Sequence, residues 1–170
     1  YVGVTDTTMP RGQGWCFMSA GRFIERGIIT ADVTLKQFEQ IDFQIEDHKD
    51  ILYWRNLLLS LSGYELYLKT YRSTTTNSNV LNEVVFNNDF PRSVFYTLSR
   101  LEKYVKDILE ENNPPDKETI YREFGRIHSR VKFADENFIK QVTLRRFLEE
   151  TKIDLLKFSH LLGQQFFSYA

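Results

Sequence analysis

Apolar residues recur three and four positions apart along most of the chain, which is the spacing typical of amphipathic helices. No stretch alternates apolar and polar residues between turn signals, so strands are not expected. The spacing predicts helices at about 13–40, 48–71, a short one ending near 86, 91–111, 116–132 and 136–167. The pattern therefore predicts an all-α fold, an antiparallel bundle of about six helices with short connections.

Polar turn residues and prolines separate these predicted helices. The polar stretch 73–79 can cap the short third helix, Pro91 suits the first turn of the fourth, and the Asn-Asn-Pro-Pro run at 112–115 ends it. On the second helix the apolar spacing predicts a single inward stripe. Its members are Trp54, Leu57, Leu58, Leu61, Tyr64, Leu68 and Tyr71.

Composition narrows the class of protein. The 170 residues carry 22 Lys+Arg against 23 Asp+Glu and are 42% hydrophobic, which predicts one soluble globular domain over 1–170. The net charge of -1 argues against bulk nucleic-acid binding, and no apolar run reaches the roughly 18–20 residues of a membrane span. The single cysteine, Cys16, fits a reducing compartment, so a cytoplasmic location is expected. Because the chain begins with Tyr1, we expect an excised piece of a longer protein.

The first predicted helix has no ordinary polar face. At 100° per residue, one side holds Trp15, Met18, Arg22, Glu25, Arg26 and Ile29. The only charges between Gly12 and Ala31 belong to this side. A helix with no solvated face is usually central, so these charges are expected to face the interior or a cleft and to have partners there. Gly21 and Gly27 are expected to permit close approach of other helices.

Other segments offer partners for these charges. Glu65 and Arg72 fall within about 20° of Trp54 on the second predicted helix, so they are expected to point inward. Asp89 and Arg92 flank the start of the fourth helix, where unpaired backbone N–H groups can hold an anion. The predicted binding site comprises Trp15, Arg22, Glu25, Arg26, Glu65, Arg72, Asp89 and Arg92. The alternative is a buried salt-bridge network that only fixes helix register.

Other polar residues give weaker signals. The histidines at 48, 128 and 160 are far apart and lie in no Glu-x-x-His pair, so neither a metal site nor a cofactor is predicted. The basic residues Arg126, Arg130 and Lys132 are expected to form a solvated helix face.

Two segments together resemble the alpha-E domain family, bacterial helical proteins named for a Glu-Arg signature. The first is TMPRGQGWCF at 8–17, continuing to GRFIER at 21–26, and the second is NDFPRSV at 88–94. The likeness extends through spaced tyrosines to the closing helix and covers essentially the whole chain. It corresponds to the C-terminal half of such a domain, so the missing N-terminal half is an expected partner. Cys16 and Gly27 depart from the family pattern without removing its charges.

The resemblance also implies a functional setting, although the family has no settled activity. Its members are companions of circularly permuted ATP-grasp and transglutaminase-like proteins, which implies a system that makes or trims a peptide bond. Arg22, Arg26 and Arg92 would then bind a carboxylate or phosphate, with Glu25 orienting them or handling a proton. We therefore expect an accessory or interaction component. The alternatives are an enzyme with Arg22, Glu25 and Arg26 as candidate catalytic residues, acting on a peptide-like or phosphorylated substrate, and a purely structural bundle.

Overall fold

The computed structural model describes residues 12–72 and 76–167. Within these residues the regular structure is helical, with one isolated bridge between His48 and Thr76 and no strand. The α-helices are α1 (Gln13–Glu39), α2 (Ile51–Ser60), α3 (Tyr64–Tyr71), α4 (Asn77–Leu81), α5 (Val94–Asn112), α6 (Lys117–Lys132), α7 (Glu136–Val142) and α8 (Leu144–Phe167). A π-helical segment, Asn82–Phe86, continues α4. The all-α prediction is confirmed, with eight α-helices in the described residues where about six were predicted.

Two predicted helices are each divided in two, which accounts for the larger number. Ser62 has a positive φ of 59° between α2 and α3, and the amide of Gly63 donates to the carbonyl oxygen of Leu58 at 2.7 Å. Thr143 has a φ of 58° between α7 and α8. A residue in this left-handed region ends a helix, because its backbone cannot continue the hydrogen-bonding pattern.

The long helix α1 is central, as its lack of a polar face predicted. It makes its most extensive contacts with α5 and α8, and α6 packs on both of these helices. Gly27 is buried at the crossing: a β-carbon there would lie 3.0 Å from Leu155 Cδ1 and 3.5 Å from Thr97 Cγ2. Close approach is therefore confirmed at Gly27. It is wrong for Gly21, which is exposed and has nothing within 4 Å of a β-carbon position.

Helices α1 and α5 run antiparallel along their shared seam. The hydroxyl of Thr30, late in α1, donates to the carbonyl oxygen of Arg92, just before α5, at 2.9 Å. The rings of Phe23 and Tyr104 stack with their centroids 5.7 Å apart. Phe23 precedes Thr30 on α1, whereas Tyr104 follows Arg92 in the chain, so the two helices run in opposite directions. This register places the Glu-Arg pair of α1 beside the first turn of α5.

Candidate anion-binding cleft

Four of the eight predicted site residues line one cleft at the α1–α5 seam. Arg22, Glu25 and Arg26 extend from α1, and Arg92 extends from the residues just before α5. The cleft has a volume of about 270 Å³. Its walls are completed by Ile29, Thr30, Val33, Ser60 and Leu61.

The start of α5 is fixed by a small hydrogen-bond network, which positions Arg92. Ser93 is fully buried and caps the helix, since its hydroxyl oxygen accepts from the amide of Tyr96 at 3.1 Å. The same hydroxyl donates to the carbonyl oxygen of Asn87. Together with the hydrogen bond from Thr30, these contacts hold the backbone around Arg92 against α1.

Positive charge accumulates in the cleft. Burial lowers the pKa of the Arg26 guanidinium, and the nearby charges of Arg92 and Arg22 lower this pKa further. Among the ion pairs of the described residues, none joins Arg26 or Arg92 to a carboxylate. Arginine keeps its charge at neutral pH, so these cations repel one another. An anion bound between them would relieve that repulsion and form charge-assisted hydrogen bonds.

Burial of the Glu-Arg segment differs from the sequence prediction. Glu25 is exposed, so the expectation of an enclosed charge is wrong for this residue, whereas Arg22 and Arg26 are half-buried. The buried face of α1 includes Ala20 and Phe38, and Glu25 projects about 140° away from both around the helix. The Glu-Arg face is therefore the side of the central helix that α5 and α8 leave open.

Glu65, Arg72 and Asp89 are not brought into the cleft, and all three are exposed. The inward orientation predicted for Glu65 and Arg72 is wrong, because the break at Ser62 resets the angular phase between α2 and α3. The predicted stripe is buried only as far as Leu61, and Leu68 is 37% exposed.

Trp15 is the last of the eight predicted residues, and it lies nearer the start of α1 than the α1 residues that line the cleft. The guanidinium carbon of Arg22 lies 5.7 Å from its ring centroid. Cation–π contact of this kind restrains the arginine side chain and places Trp15 at the edge of the cluster.

One buried carboxyl group, that of Glu83, was not predicted from the sequence. Glu83, in the π-helical segment, is fully buried; its Oε2 accepts from the side-chain amide of Asn87 at 3.1 Å, while Oε1 has no hydrogen-bond partner. Burial raises the pKa of Glu83. Burial, together with the nearby Tyr71 and Glu83, raises the pKa of Tyr67 to about 12. The sequence signal for this buried group is that Glu83 lies between Val80 and Val84, among residues that the apolar spacing assigns to the core.

Arg130 is also placed differently from its prediction. It does not lie on a solvated face, because it joins α6 to α8 through Glu150 at 2.9 Å and Asp154 at 3.3 Å. Its guanidinium also donates to the hydroxyl of Thr151 at 2.7 Å. Burial lowers the pKa of Arg130. This salt-bridge network locks two core helices together and lies apart from the cleft.

The described residues form neither a metal-ligating cluster nor a membrane-spanning helix. In the part of the chain that the structure describes, no group of three or more His, Cys, Asp or Glu side chains is arranged to hold a metal ion. Within residues 12–72 and 76–167, none of the helices combines the length and apolarity needed to cross a membrane.

Comparison with known proteins agrees with the helical fold. The matching family model is Alpha-E, described as a predicted alpha-helical domain with a conserved ER motif, and it covers residues 1–167. No curated protein and no solved structure matches the chain. Glu25-Arg26, which lines the cleft, is the only Glu-Arg pair in the sequence. The chain belongs to the Alpha-E family.

Proposed function

We propose that this Alpha-E domain is an accessory component of a peptide-modifying system and that its cleft binds a carboxylate or phosphate group of the substrate. The observation that carries this proposal is the convergence of Arg26 and Arg92, with Arg22 beside them, in one cleft. Planar guanidinium groups bind carboxylates and phosphates through paired hydrogen bonds, which gives orientation as well as affinity.

Binding fits the cleft better than catalysis. Its lining contains one carboxylate, Glu25, and this side chain is exposed at the mouth. A reaction that needs both a general acid and a general base would require a second proton-transferring side chain, and the cleft lining contains no other carboxylate and no histidine. At the mouth, Glu25 can accept a hydrogen bond from an amide or amine of the substrate and so orient the anionic group.

The reaction itself would come from partner proteins. We propose a circularly permuted ATP-grasp protein and a transglutaminase-like protein as these partners, in the cytoplasm, on the basis of the family resemblance. Exposed apolar side chains support an interaction role: Ile153 and Leu156, three residues apart on α8, are 46% and 45% exposed. Copurification of the full-length parent with the ATP-grasp protein tests this part, and failure of the two to associate at micromolar concentrations would reject it.

A binding experiment tests the cleft directly. Inorganic phosphate and N-acetylglutamate are titrated into the protein at constant ionic strength, and the dissociation constants are measured by calorimetry. Arg26→Ala combined with Arg92→Ala should weaken binding at least about tenfold, or about 1.4 kcal/mol. The matched control, Arg122→Ala with Lys157→Ala, removes two exposed cations from α6 and α8 and should leave affinity unchanged. Equal losses in both double variants, or no binding by the parent protein, would reject the proposal.

A further inference from the structure

A second cleft of about 350 Å³ opens farther along the same seam. It is lined by Trp15, Cys16, Arg100, Lys103, Tyr104 and Asp107. Its cations, Arg100 and Lys103, belong to α5, whereas two of the arginines of the first cleft belong to α1. Both helices therefore contribute positive charge to the seam that they form.

The helical geometry aligns the two clefts. On α1, Trp15, Arg22 and Arg26 project within about 40° of one another. On the other side of the seam, Arg100 and Lys103 project within about 60° of each other from α5. Arg26 is close enough to Tyr96 to interact with it electrostatically, and Arg100 lies over the ring of the same Tyr96, so both rows face one side of the seam and we treat the two clefts as one groove. From Trp15 to Thr30 the helix rises about 22 Å, which equals the length of six or seven residues of extended peptide.

The groove has a charge opposite to that of the chain as a whole. Five cations and two carboxylates line the two clefts, although the chain carries a net charge of -1. Among the described residues, Arg100 and Lys103 form no ion pair, like Arg26 and Arg92. Charge complementarity therefore favours an elongated acidic ligand, since each of its carboxylates would find a cation at a successive position.

Aromatic contacts distinguish a peptide from a nucleic acid. Arg26 lies 5.1 Å from the ring centroid of Phe23, and Arg100 lies 5.7 Å from that of Tyr96. Phe23 and Tyr104 stack on each other. Single-stranded nucleic acids bind through bases stacked on free ring faces, and these contacts already cover a face of each ring. The carboxylates of Glu25 and Asp107 can accept hydrogen bonds from the N–H groups of a peptide backbone, and a phosphodiester backbone has no such groups.

We infer that the α1–α5 groove binds an extended acidic peptide segment of about six residues, with its carboxylates held by Arg26 and Arg92 at one end and by Arg100 and Lys103 at the other. This inference rests on the proposed function, because the first cleft supplies one of the two ends. The second cleft extends the proposal by giving the ligand a length and a direction along the helix pair.

Labelled hexaglutamate, compared with N-acetylglutamate, tests the inference by fluorescence polarisation and calorimetry. Hexaglutamate should bind at least about tenfold tighter, because a second set of contacts raises the effective affinity. Arg100→Ala with Lys103→Ala should abolish that advantage and leave the affinity for N-acetylglutamate unchanged. Asp107→Asn removes a carboxylate from the groove and should tighten hexaglutamate binding, which gives a second readout if the double variant does not fold.

The outcomes separate this inference from the proposed function. If N-acetylglutamate binds but hexaglutamate binds no tighter, or if the α5 variants leave hexaglutamate binding unchanged, the extended groove is rejected and the cleft proposal stands. If hexauridylate binds more tightly than hexaglutamate, the assignment to a peptide is wrong. If neither phosphate nor N-acetylglutamate binds the parent protein, the proposed function itself fails.

Discussion

The hydroxyl of Thr30 donates to the carbonyl oxygen of Arg92 at 2.9 Å and so holds the start of α5 against the C-terminal half of α1. Thr30 is buried, and its hydrogen bond lies between the two helices that supply the arginines of the cleft. The relative position of Arg26 and Arg92 therefore depends on a contact made by a neutral side chain.

Thr30→Val tests this dependence. The substitution keeps the side-chain volume but removes the donor, so the free energy of unfolding should fall by about 0.5–1.5 kcal/mol. Phosphate affinity should fall as well, because the Arg92 backbone is no longer fixed against α1. Urea unfolding and calorimetry measure the two effects. If the free energy of unfolding falls by the expected amount and phosphate affinity does not change, Thr30 has only a structural role.

Gly63 lies against Phe90, and this close packing can be tested with an alanine. A β-carbon at Gly63 would lie 2.6 Å from Phe90 Cζ, and Phe90 is almost fully buried. Gly63→Ala should therefore lower the free energy of unfolding by about 1–3 kcal/mol. The matched control is Gly125→Ala in α6, where a β-carbon meets nothing within 4 Å and alanine should stabilise the helix by up to about 1 kcal/mol. Equal effects at the two positions in urea unfolding would contradict the packing described.

The buried carboxyl of Glu83 predicts a pH dependence of stability. Burial raises the pKa of Glu83 in the folded state. The favourable contribution of its protonated form to the free energy of unfolding is therefore fully present below pH 4.5, which is the pKa of this group in the unfolded chain. That contribution is lost as pH rises through the folded pKa. Glu83→Gln carries no ionisable group, so it should be more stable than the parent at pH 8, by about 1–3 kcal/mol. The difference should vanish near pH 4.

Urea unfolding of both proteins from pH 4 to pH 8 measures this difference, and taking the difference at each pH cancels the titration of other groups. Glu102→Gln serves as a control, because hydrogen bonding to Lys106 lowers the pKa of that partly exposed carboxyl. Its variant should therefore show no stabilisation at high pH. A difference between Glu83→Gln and the parent that is constant with pH would contradict the raised pKa.

Arg130 predicts a large loss of stability on truncation. Arg130→Ala leaves Glu150 and Asp154 without their shared cation between α6 and α8. Breaking a buried pair costs about 3–5 kcal/mol, and partial exposure of Glu150 places the expected loss at the lower end. Arg126→Ala breaks only an exposed pair with Glu123 and should cost less than about 1 kcal/mol. Thermal unfolding of the two variants compares them, and similar losses would contradict a structural role for Arg130.

Local sequence signals predicted the helical class and most helix bounds. The prediction at 13–40 corresponds to α1, and that at 116–132 corresponds to α6, within one residue at each end. The starts of these helices were predictable because Gly12 precedes α1 and the Asn-Asn-Pro-Pro run at 112–115 precedes α6, and such residues act through local backbone geometry. The break at Thr143 was not predictable in this way, since threonine does not favour a positive φ. The Ser62-Gly63 dipeptide is a turn signal, but the continuous apolar spacing of 48–71 outweighed it in the prediction.

The candidate site was predictable where a single helix determined it. Arg22, Glu25 and Arg26 share a face because they lie on one uninterrupted helix, and their common side follows from their spacing. The orientation of Glu65 required an angular phase carried across Ser62, and that phase does not survive a turn. Exposure of Glu25 and burial of Glu83 depend on which neighbouring helices cover each face, which is a property of tertiary packing.

The central claim is that Arg26 and Arg92 together hold an anion, and the side-chain NMR signals of the arginines test it most directly. In a titration with inorganic phosphate at constant ionic strength, the Nε–Hε signals of Arg26 and Arg92 should shift together and saturate with one dissociation constant. The signals of the exposed Arg122 and Arg126 should remain in place. Small, unsaturated shifts of equal size at all four arginines would contradict the account.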